Sequence, residues 1–341
     1  MSGQSVLITG ATGFLGFRAL IFALEAGYRV RVAVRKQEGF EKIKSIAPVT
    51  QYTTQLESVI VPDITAPGAY DEAVQGVDHV VHIASPVPSP AITSDFDKLI
   101  VQPAVQGTLT MLEAAYKAPG VKKVVITSSV GAIIPLGTVA APPSGTVYNE
   151  KSRLENPTDP LDNPFTAYFA SKVMALNAAE AWIKEKNPSF DVVHVAPGYL
   201  VGRDPLLREP NDFVTGSNGF LMRQLLLGPD PYPVASLIVH VDDAARVHVK
   251  ALDPSIKGNR LFPVFTQCPE GPDWDDVLEI AKRRYPKQVA DGTFKVDAGT
   301  KTQHIKADAS YTEQTFGFKA KSFEEAAVSL MDQYVELIGK Q

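Results

Sequence analysis

The sequence predicts an α/β protein: a doubly wound parallel sheet followed by a smaller, mostly helical C-terminal region. Three observations lead there. Between residue 5 and about residue 130, short runs rich in Val and Ile alternate with longer helical stretches, as successive βαβ units do. A Gly-Ala-Thr-Gly-Phe-Leu-Gly run, Gly10 to Gly16, follows the first such run directly and opens the first helix. Beyond residue 197 the alternation fades into Pro- and Gly-rich loops with helical segments between them.

The expected strands are Ser5 to Thr9, Arg29 to Val34, Ser58 to Val61, Asp78 to Ile83, Lys123 to Thr127 and Asp191 to Val195, apolar enough to be buried on both faces. The first helix is expected over Phe14 to Ala26, ended by Gly27. A longer one covers Asp95 to Lys117, bent near Pro103 because an internal proline removes a backbone donor. A third runs from Phe165 to Lys186, closed by Pro188. Later helical segments are placed near Asn218 to Leu227, Asp243 to Leu252, Trp274 to Arg284 and Phe323 to Leu337.

Bulk properties narrow the function. With 341 residues, 45% hydrophobic and 21% charged, the chain reads as globular, neither disordered, fibrous nor membrane-embedded. A net charge of -5 gives no electrostatic footprint for nucleic acid or an anionic membrane, so the expected partner is a small molecule. Cys268 is the single cysteine, which rules out an intramolecular disulfide and suits the cytoplasm. No signal peptide is expected, and apolar runs such as Val77 to Val87 are far shorter than the roughly 20 residues of a spanning helix. A monomer or weak homodimer is expected.

The glycine run has the build of a Rossmann-type dinucleotide site. Gly10 permits a tight turn, Gly13 lets backbone approach a pyrophosphate, and Gly16 allows helix to pack on strand. Thr12, Phe14 and Leu15 stand where a helix N-terminus offers its free N–H groups to phosphates. The second strand ends in Val34, Arg35 and Lys36, where NAD-selective sites carry a carboxylate. A guanidinium there can grip a 2'-phosphate, which favours NADPH over NADH; the alternative is a solvated strand-end charge. Asp63 and Ile64 sit where an adenine amino group could be read, unless Asp63 only forms a turn.

Tyr168 and Lys172 lie four residues apart at the start of a helix, hence on one face. A phenol titrates near about 10 unperturbed, and a neighbouring ammonium favours the phenolate and should lower that value. The fifth strand runs into Thr127, Ser128 and Ser129 at the carboxyl edge of the sheet, where a serine can hydrogen-bond a substrate carbonyl. The sixth ends in Pro197, Gly198, Tyr199, Leu200, Val201 and Gly202, which could bring backbone to a nicotinamide or could simply end the strand. His82 reads as a satisfied near-core histidine, and His240, Asp242 and Asp243 as a capped helix start. No metal is implied.

Taken together, Thr9 to Gly16, His82 to Pro86, Thr127 to Ser129, Tyr168 to Lys172 and Pro197 to Gly202 resemble the extended short-chain dehydrogenase/reductase family over nearly the whole length. Through Val34-Arg35, Ala84-Ser85-Pro86-Val87 and Pro197-Gly198-Tyr199 the chain is similar to the branch of plant dihydroflavonol reductases and fungal ketone and methylglyoxal reductases. That resemblance implies NADPH, with Ala84, Ser85, Pro86 and Thr127 among its contacts. It implies Tyr168 as general acid, Lys172 on the nicotinamide ribose, and Ser129, last of its run, orienting the substrate carbonyl. Val87, Ser129, Ile133, Ile134, Phe165 and Tyr199 are the substrate-side candidates, giving a pocket for an apolar or aromatic carbonyl compound. The implied domains are an NADP-binding domain over 1–197, with a segment near 237–262 returning to it, and a discontinuous substrate-binding cap over 198–341.

One departure is visible. Ala104-Val105-Gln106-Gly107-Thr108 replaces the Asn-Val-x-Gly-Thr motif of sugar-nucleotide relatives, so no proton-relay role is assigned on that helix. A sugar-nucleotide epimerase or dehydratase is the rival enzyme; Val130 and Gly131 stand where dehydratases carry an Asp-Glu pair, and Arg35 conflicts with retained NAD. A non-catalytic NADP-sensing regulator is the rival from another class, but such proteins commonly lose the Tyr or Lys that this chain keeps.

Overall fold

A computed structural model describes residues 3–86, 92–136, 145–267 and 271–339. The chain forms two compact units, one of Met1–Pro142, Asn149–Ala196 and Ala245–Pro263, the other of Pro143–Tyr148, Pro197–Ala244 and Val264–Gln341.

The elements run β1 (Ser5–Thr9), α1 (Phe14–Glu25), β2 (Arg29–Val34), α2 (Gln37–Lys44), β3 (Leu56–Ile60), β4 (His79–His82), α3 (Gln102–Lys117), β5 (Lys123–Thr127), α4 (Pro164–Lys186) and β6 (Asp191–Pro197). Then come β7 (Tyr199–Val201), α5 (Asn218–Leu226), β8 (Val234–Ala235), β9 (Ile238–His240), α6 (Val241–Lys250), β10 (Arg260–Val264), α7 (Asp276–Arg284), α8 (Pro286–Ala290), β11 (Thr302–Gln303), α9 (Ser310–Phe316) and α10 (Phe323–Ile338).

Seven strands form one parallel sheet in the order β10-β6-β5-β4-β1-β2-β3. The order reverses beside β1, and a doubly wound sheet binds its ligands at the carboxyl ends around such a switch point. Register aligns Thr9 with His82, His82 with Ile126, and Ile126 with His194, a single row across four strands near that edge. One face of the sheet buries Leu7, Val80, Val124 and Val192 against Met111 and Leu112 of α3 and Trp182 of α4. Lys123, buried at the other end of β5, donates to the carbonyl oxygens of Asp253 and Ile256 and ties the stretch after α6 to the sheet.

The structure departs from the sequence-based expectation in a few places. The long helix expected over Asp95 to Lys117 is divided just before Pro103 into two pieces. A π-helical turn, Asp97–Val101, runs directly into α3, with the Gln102 N–H donated to the Asp97 carbonyl, so the irregularity lies in the turn just before Pro103, where the proline lacks the N–H of a regular helix. The short α2 was not anticipated, because only Phe40 and Ile43 of its eight residues are buried and the apolar signal is thin. α4 begins at Pro164 behind a capping box in which Asn163 and Thr166 bond each other's backbone N–H, and ends at Asn187 in the left-handed conformation, φ 44°.

The second unit has its own core around Trp274, fully buried with its indole N–H donated to the Ala235 carbonyl at 3.0 Å. Two short parallel pairs, β7 with β9 and β8 with β11, and helices α5, α7 and α10 complete it. Among the described residues no helix is long and apolar enough to cross a membrane.

Candidate active site

The glycine turn is shaped by backbone on backbone. Gly10 has φ 75°, and a Cβ on it would lie 2.8 Å from the Ala84 nitrogen. A Cβ on Gly16 would lie 2.0 Å from the Gly10 carbonyl oxygen, so α1 can sit against the turn only with glycine there. Gly13 differs: it is the N-cap of α1, no side chain caps the helix start, and a Cβ there would meet only the Gly10 oxygen at 3.5 Å. Space and free N–H groups therefore face outward beside Gly13 and Thr12, both exposed, with Phe14 half-buried and Leu15 buried behind them.

Arg35 and Lys36 are exposed at the end of β2, and Lys36 is the N-cap of α2. Burial raises the pKa of the Tyr70 phenol, with the charges of Arg35 and Asp63 acting on it in opposite directions. Asp63 is a turn-former here: its Oδ1 accepts the backbone N–H and the hydroxyl of Thr65 at 2.9 and 2.7 Å, which holds the carboxyl below its ordinary range. Ile64 packs beneath Gly107 of α3, where a Cβ would approach it to 3.2 Å.

Between β1 and β4, the Thr9 hydroxyl accepts the N–H groups of Ile83 and Ala84 at 3.1 and 3.0 Å and meets His82 Nδ1 at 3.0 Å. With both its lone pairs taken, the hydroxyl gives its hydrogen to Nδ1, which leaves the His82 proton on Nε2. Burial, with the Lys172 charge as a second cause, pushes the His82 pKa down to about 3. His82 is thus a neutral, buried histidine.

α4 sets Tyr168 and Lys172 one turn apart. Lys172 is buried, donates from Nζ to Ser85 Oγ at 3.2 Å, and holds its ammonium 5.4 Å from the centre of the Tyr168 ring. Burial lowers its pKa to about 8. At the carboxyl end of β5, Ser129 Oγ accepts the Gly131 N–H at 3.1 Å and lies close enough to the Tyr168 phenol to favour its ionised form. The Tyr168 pKa is nonetheless raised, because burial outweighs the influence of Ser129. This corrects the expectation that Lys172 would depress it: the ammonium lies over the ring, and the surroundings that bury the phenol also penalise phenolate.

Phe169 closes one side of this group. A Cβ on Gly131 would lie 2.4 Å from Phe169 Cδ1, and the Phe169 ring meets Tyr168 edge to face at 5.6 Å. Thr127 is tied by its Oγ1 to His248 Nε2 of α6 at 2.8 Å. Neither Phe169, Thr9 nor His248 stands out in the sequence as a site residue. Phe169 could have been suspected from lying inside the Tyr-to-Lys turn and Thr9 from preceding the glycine run; His248 carries no local signal, since its partner is 121 residues away.

Other candidates are more scattered. Ile133 and Ile134 are buried to 1% and 0% exposure, held in the core and not presented to solvent. Phe165, at 51% exposure, sits in the first turn of α4. Ser85 meets Lys172, Ala84 and Pro86 are half-buried, and Val87 lies outside the described residues. Pro197 ends β6. In the second unit, a Cβ on Gly198 would lie 2.2 Å from the Leu237 oxygen, so strand packing alone accounts for that glycine. Tyr199 packs on Phe220 and Trp274, and Val201 is fully buried. At the start of α6, His240 Nδ1 accepts the Asp242 N–H at 3.0 Å and Asp243 accepts the Lys321 N–H at 2.8 Å.

A seven-stranded sheet of this order, with a glycine turn after its first strand, is the architecture of the short-chain dehydrogenase/reductases. Residues 6–262 match the NAD dependent epimerase/dehydratase family, the extended branch of that class, and the chain belongs to it. The chain is similar to the ketoreductase CTB6 of Cercospora nicotianae, 36% identical over 99% of this chain and 96% of that one. It is also 36% identical to the NAD-dependent epimerase/dehydratase ALT6 of Alternaria alternata, over 94% of each chain. Among solved structures, yeast methylglyoxal/isovaleraldehyde reductase Gre2 complexed with NADPH shares the fold with a TM-score of 0.82 at 24% identity, over 99% of this chain and 100% of that one.

Proposed function

We propose that the chain is an NADPH-dependent carbonyl reductase that converts a ketone or aldehyde to an alcohol with Ser129, Tyr168 and Lys172. The observation that carries this reading is the gathering of the three at one edge of the sheet, with Ser129 close to the phenol and the Lys172 ammonium over its ring. The fungal relative named a ketoreductase, 36% identical over nearly the whole chain, supports the reaction class.

The residues present fit NADPH. The uncapped start of α1 at Gly13 leaves N–H groups and space for phosphate oxygens. Exposed Arg35 offers a positive charge for a 2'-phosphate at the place where a carboxylate would repel it. Lys172 would hold the nicotinamide ribose, with Ser85 beside it. When bound, NADPH supplies the hydride. The chain's own residues do the rest: Ser129, whose oxygen already accepts the Gly131 N–H, turns its hydrogen to the substrate oxygen, and Tyr168 delivers a proton to that oxygen as negative charge builds on it. A phenol with a raised pKa is protonated at neutral pH, the form a proton donor needs.

The Gly131 geometry weighs against a dehydratase, and Arg35 against an epimerase that retains NAD. An acidic side chain in place of Gly131 would occupy the space of the Phe169 ring. We assign the cofactor to the first unit and the substrate's variable part to the second, and a chain of this composition to the cytoplasm. The test is oxidation of NADPH and of NADH by the purified protein with aldehydes, diketones, β-ketoesters and aryl ketones. Turnover with NADPH and little with NADH is expected. If NADPH binds and no carbonyl compound consumes it, the reductase reading fails.

A further inference from the structure

Alternate residues of β5 point to opposite faces of the sheet. Val124 and Ile126 belong to the core that α3 and α4 cover. Lys123, Val125 and Thr127 therefore face the other side, and the first and last of them both reach α6 or the stretch just after it, within the same unit. At the amino end, buried Lys123 donates from Nζ to the carbonyl oxygens of Asp253 and Ile256, just beyond α6. At the carboxyl end, Thr127 Oγ1 and His248 Nε2 of α6 are hydrogen-bonded at 2.8 Å. α6 in turn rests on α1, with the Arg246 guanidinium over the Phe22 ring at 4.9 Å. The strand that leads to Ser129 is thus fastened at both ends to one helical segment.

The two fastenings differ in what they can influence. The pairing of β5 with β4 ends at Ile126, opposite His82. Its pairing with β6 ends at Thr127, opposite Val195, followed by one bond from the Ser128 N–H to the Val195 carbonyl at 2.7 Å. Thr127 therefore stands where the ladder on one side has already stopped, and its side chain supplies the hold that the ladder no longer gives. His248 is fully buried, so its bond to Thr127 is shielded from competing water. Two residues on, Ser129 caps a short 3₁₀ turn, Val130–Ala132, by accepting the Gly131 N–H, and its oxygen lies close to the Tyr168 phenol. A turn anchored so near Thr127 follows any movement of Thr127. Lys123, four residues and roughly 13 Å back along the strand, is too far away to steer it.

We propose that His248 is a positioning residue: its bond to Thr127 fixes the carboxyl end of β5 and thereby the place of Ser129 beside Tyr168. Fully buried, it acts on the reaction only through Thr127. α6 then sets the geometry of the Ser129–Tyr168 pair from the face of the sheet opposite α3 and α4. The role needs a hydrogen-bonding group at the Nε2 position and not the imidazole itself. The effect on catalysis rests on the reductase reading; the fastening of the strand end does not.

The test compares three variants. His248→Gln can place a donor or an acceptor near the Nε2 position, His248→Leu cannot, and Lys123→Met unties the far end of the strand. The first readout needs no turnover: amide hydrogen exchange of the free protein, followed by NMR. His248→Leu should speed exchange of the Ser128 and Gly131 N–H groups by about tenfold, the worth of one lost hydrogen bond, and leave the amides between β1 and β2 unchanged. His248→Gln should restore most of the protection. With NADPH and a carbonyl substrate, His248→Leu should lower kcat by about tenfold with KM within about twofold of the parent, and His248→Gln should recover kcat. Lys123→Met should keep kcat within about twofold of the parent. Thr127→Val removes the same bond from the strand side and takes the place of His248→Leu if that variant does not fold. Unchanged exchange in a folded His248→Leu protein, or an unchanged kcat where the parent is active, overturns the proposal, as does a Lys123→Met loss equal to that of His248→Leu. Faster exchange with no carbonyl compound reduced by the parent would keep the fastening and remove the reductase reading. An active parent whose exchange is indifferent to His248 would do the opposite.

Discussion

The glycine turn after β1 and the Tyr168–Lys172 turn of α4 both stand at the carboxyl edge of one sheet, yet they work by different means. In the first, side chains are absent because backbone needs the space: a Cβ on Gly16 would meet the Gly10 oxygen at 2.0 Å. In the second, function depends on side-chain charge states that distant elements set, since burial lowers the Lys172 pKa to about 8 and raises that of Tyr168. Shape is encoded locally; charge state is encoded by whatever covers the site.

Lys172→Met breaks the electrostatic side most severely. Loss of a group that orients and supports the proton donor should lower kcat/KM by about 10²–10⁴-fold. The same change should stabilise the fold, because a buried ammonium with its pKa held at about 8 costs on the order of 3 kcal/mol at neutral pH. Urea unfolding at pH 7 measures the gain, and a destabilised variant would contradict the burial argument.

On the shape side, two glycines three residues apart should respond differently. Gly16→Ala should cost about 1–3 kcal/mol through overpacking, read as a lower denaturant midpoint. Gly13→Ala, with no close neighbour but the Gly10 oxygen at 3.5 Å, should unfold within about 0.5 kcal/mol of the parent while binding NADPH more weakly. Equal stability of the two would erase the distinction.

Much of this contrast was legible in the sequence. The Val- and Ile-rich runs of β1, β2 and β5 have the expected bounds because each is a short β-branched run between turn residues, and the glycine spacing and the Tyr-Lys spacing are local patterns. What was not legible depends on distance. His82, Ile126 and His194 share a row only through strand register, Thr127 meets His248 across 121 residues, and Phe169 fills the space over Gly131 only once α4 is packed. The direction of the Tyr168 pKa was misjudged for the same reason: proximity to Lys172 can be read from spacing, whereas burial cannot.

Smaller effects sharpen the picture. Arg35→Ala should weaken NADPH relative to NADH by about 10–100-fold, the worth of a charge-assisted bond, measured as the ratio of kcat/KM values; an unchanged ratio would make Arg35 a solvated charge. In the pH profile of reduction, activity should fall as pH rises through about 8, because the Lys172 ammonium is lost there. Between about pH 8 and 10.5 the unfolded chain binds the extra proton, so the contribution of Lys172 to stability rises with pH while activity falls.

Proton donation by Tyr168, as proposed above, can be tested by one substitution. Tyr168→Phe keeps the ring that packs on Phe169 and removes only the hydroxyl beside Ser129. The measurement is single-turnover NADPH oxidation with a carbonyl substrate, alongside NADPH binding. Unchanged NADPH binding and a hydride-transfer rate lower by about 10²–10⁴-fold are expected. A rate equal to that of the parent would contradict proton donation by Tyr168 and leave the Ser129–Tyr168–Lys172 arrangement without a catalytic role.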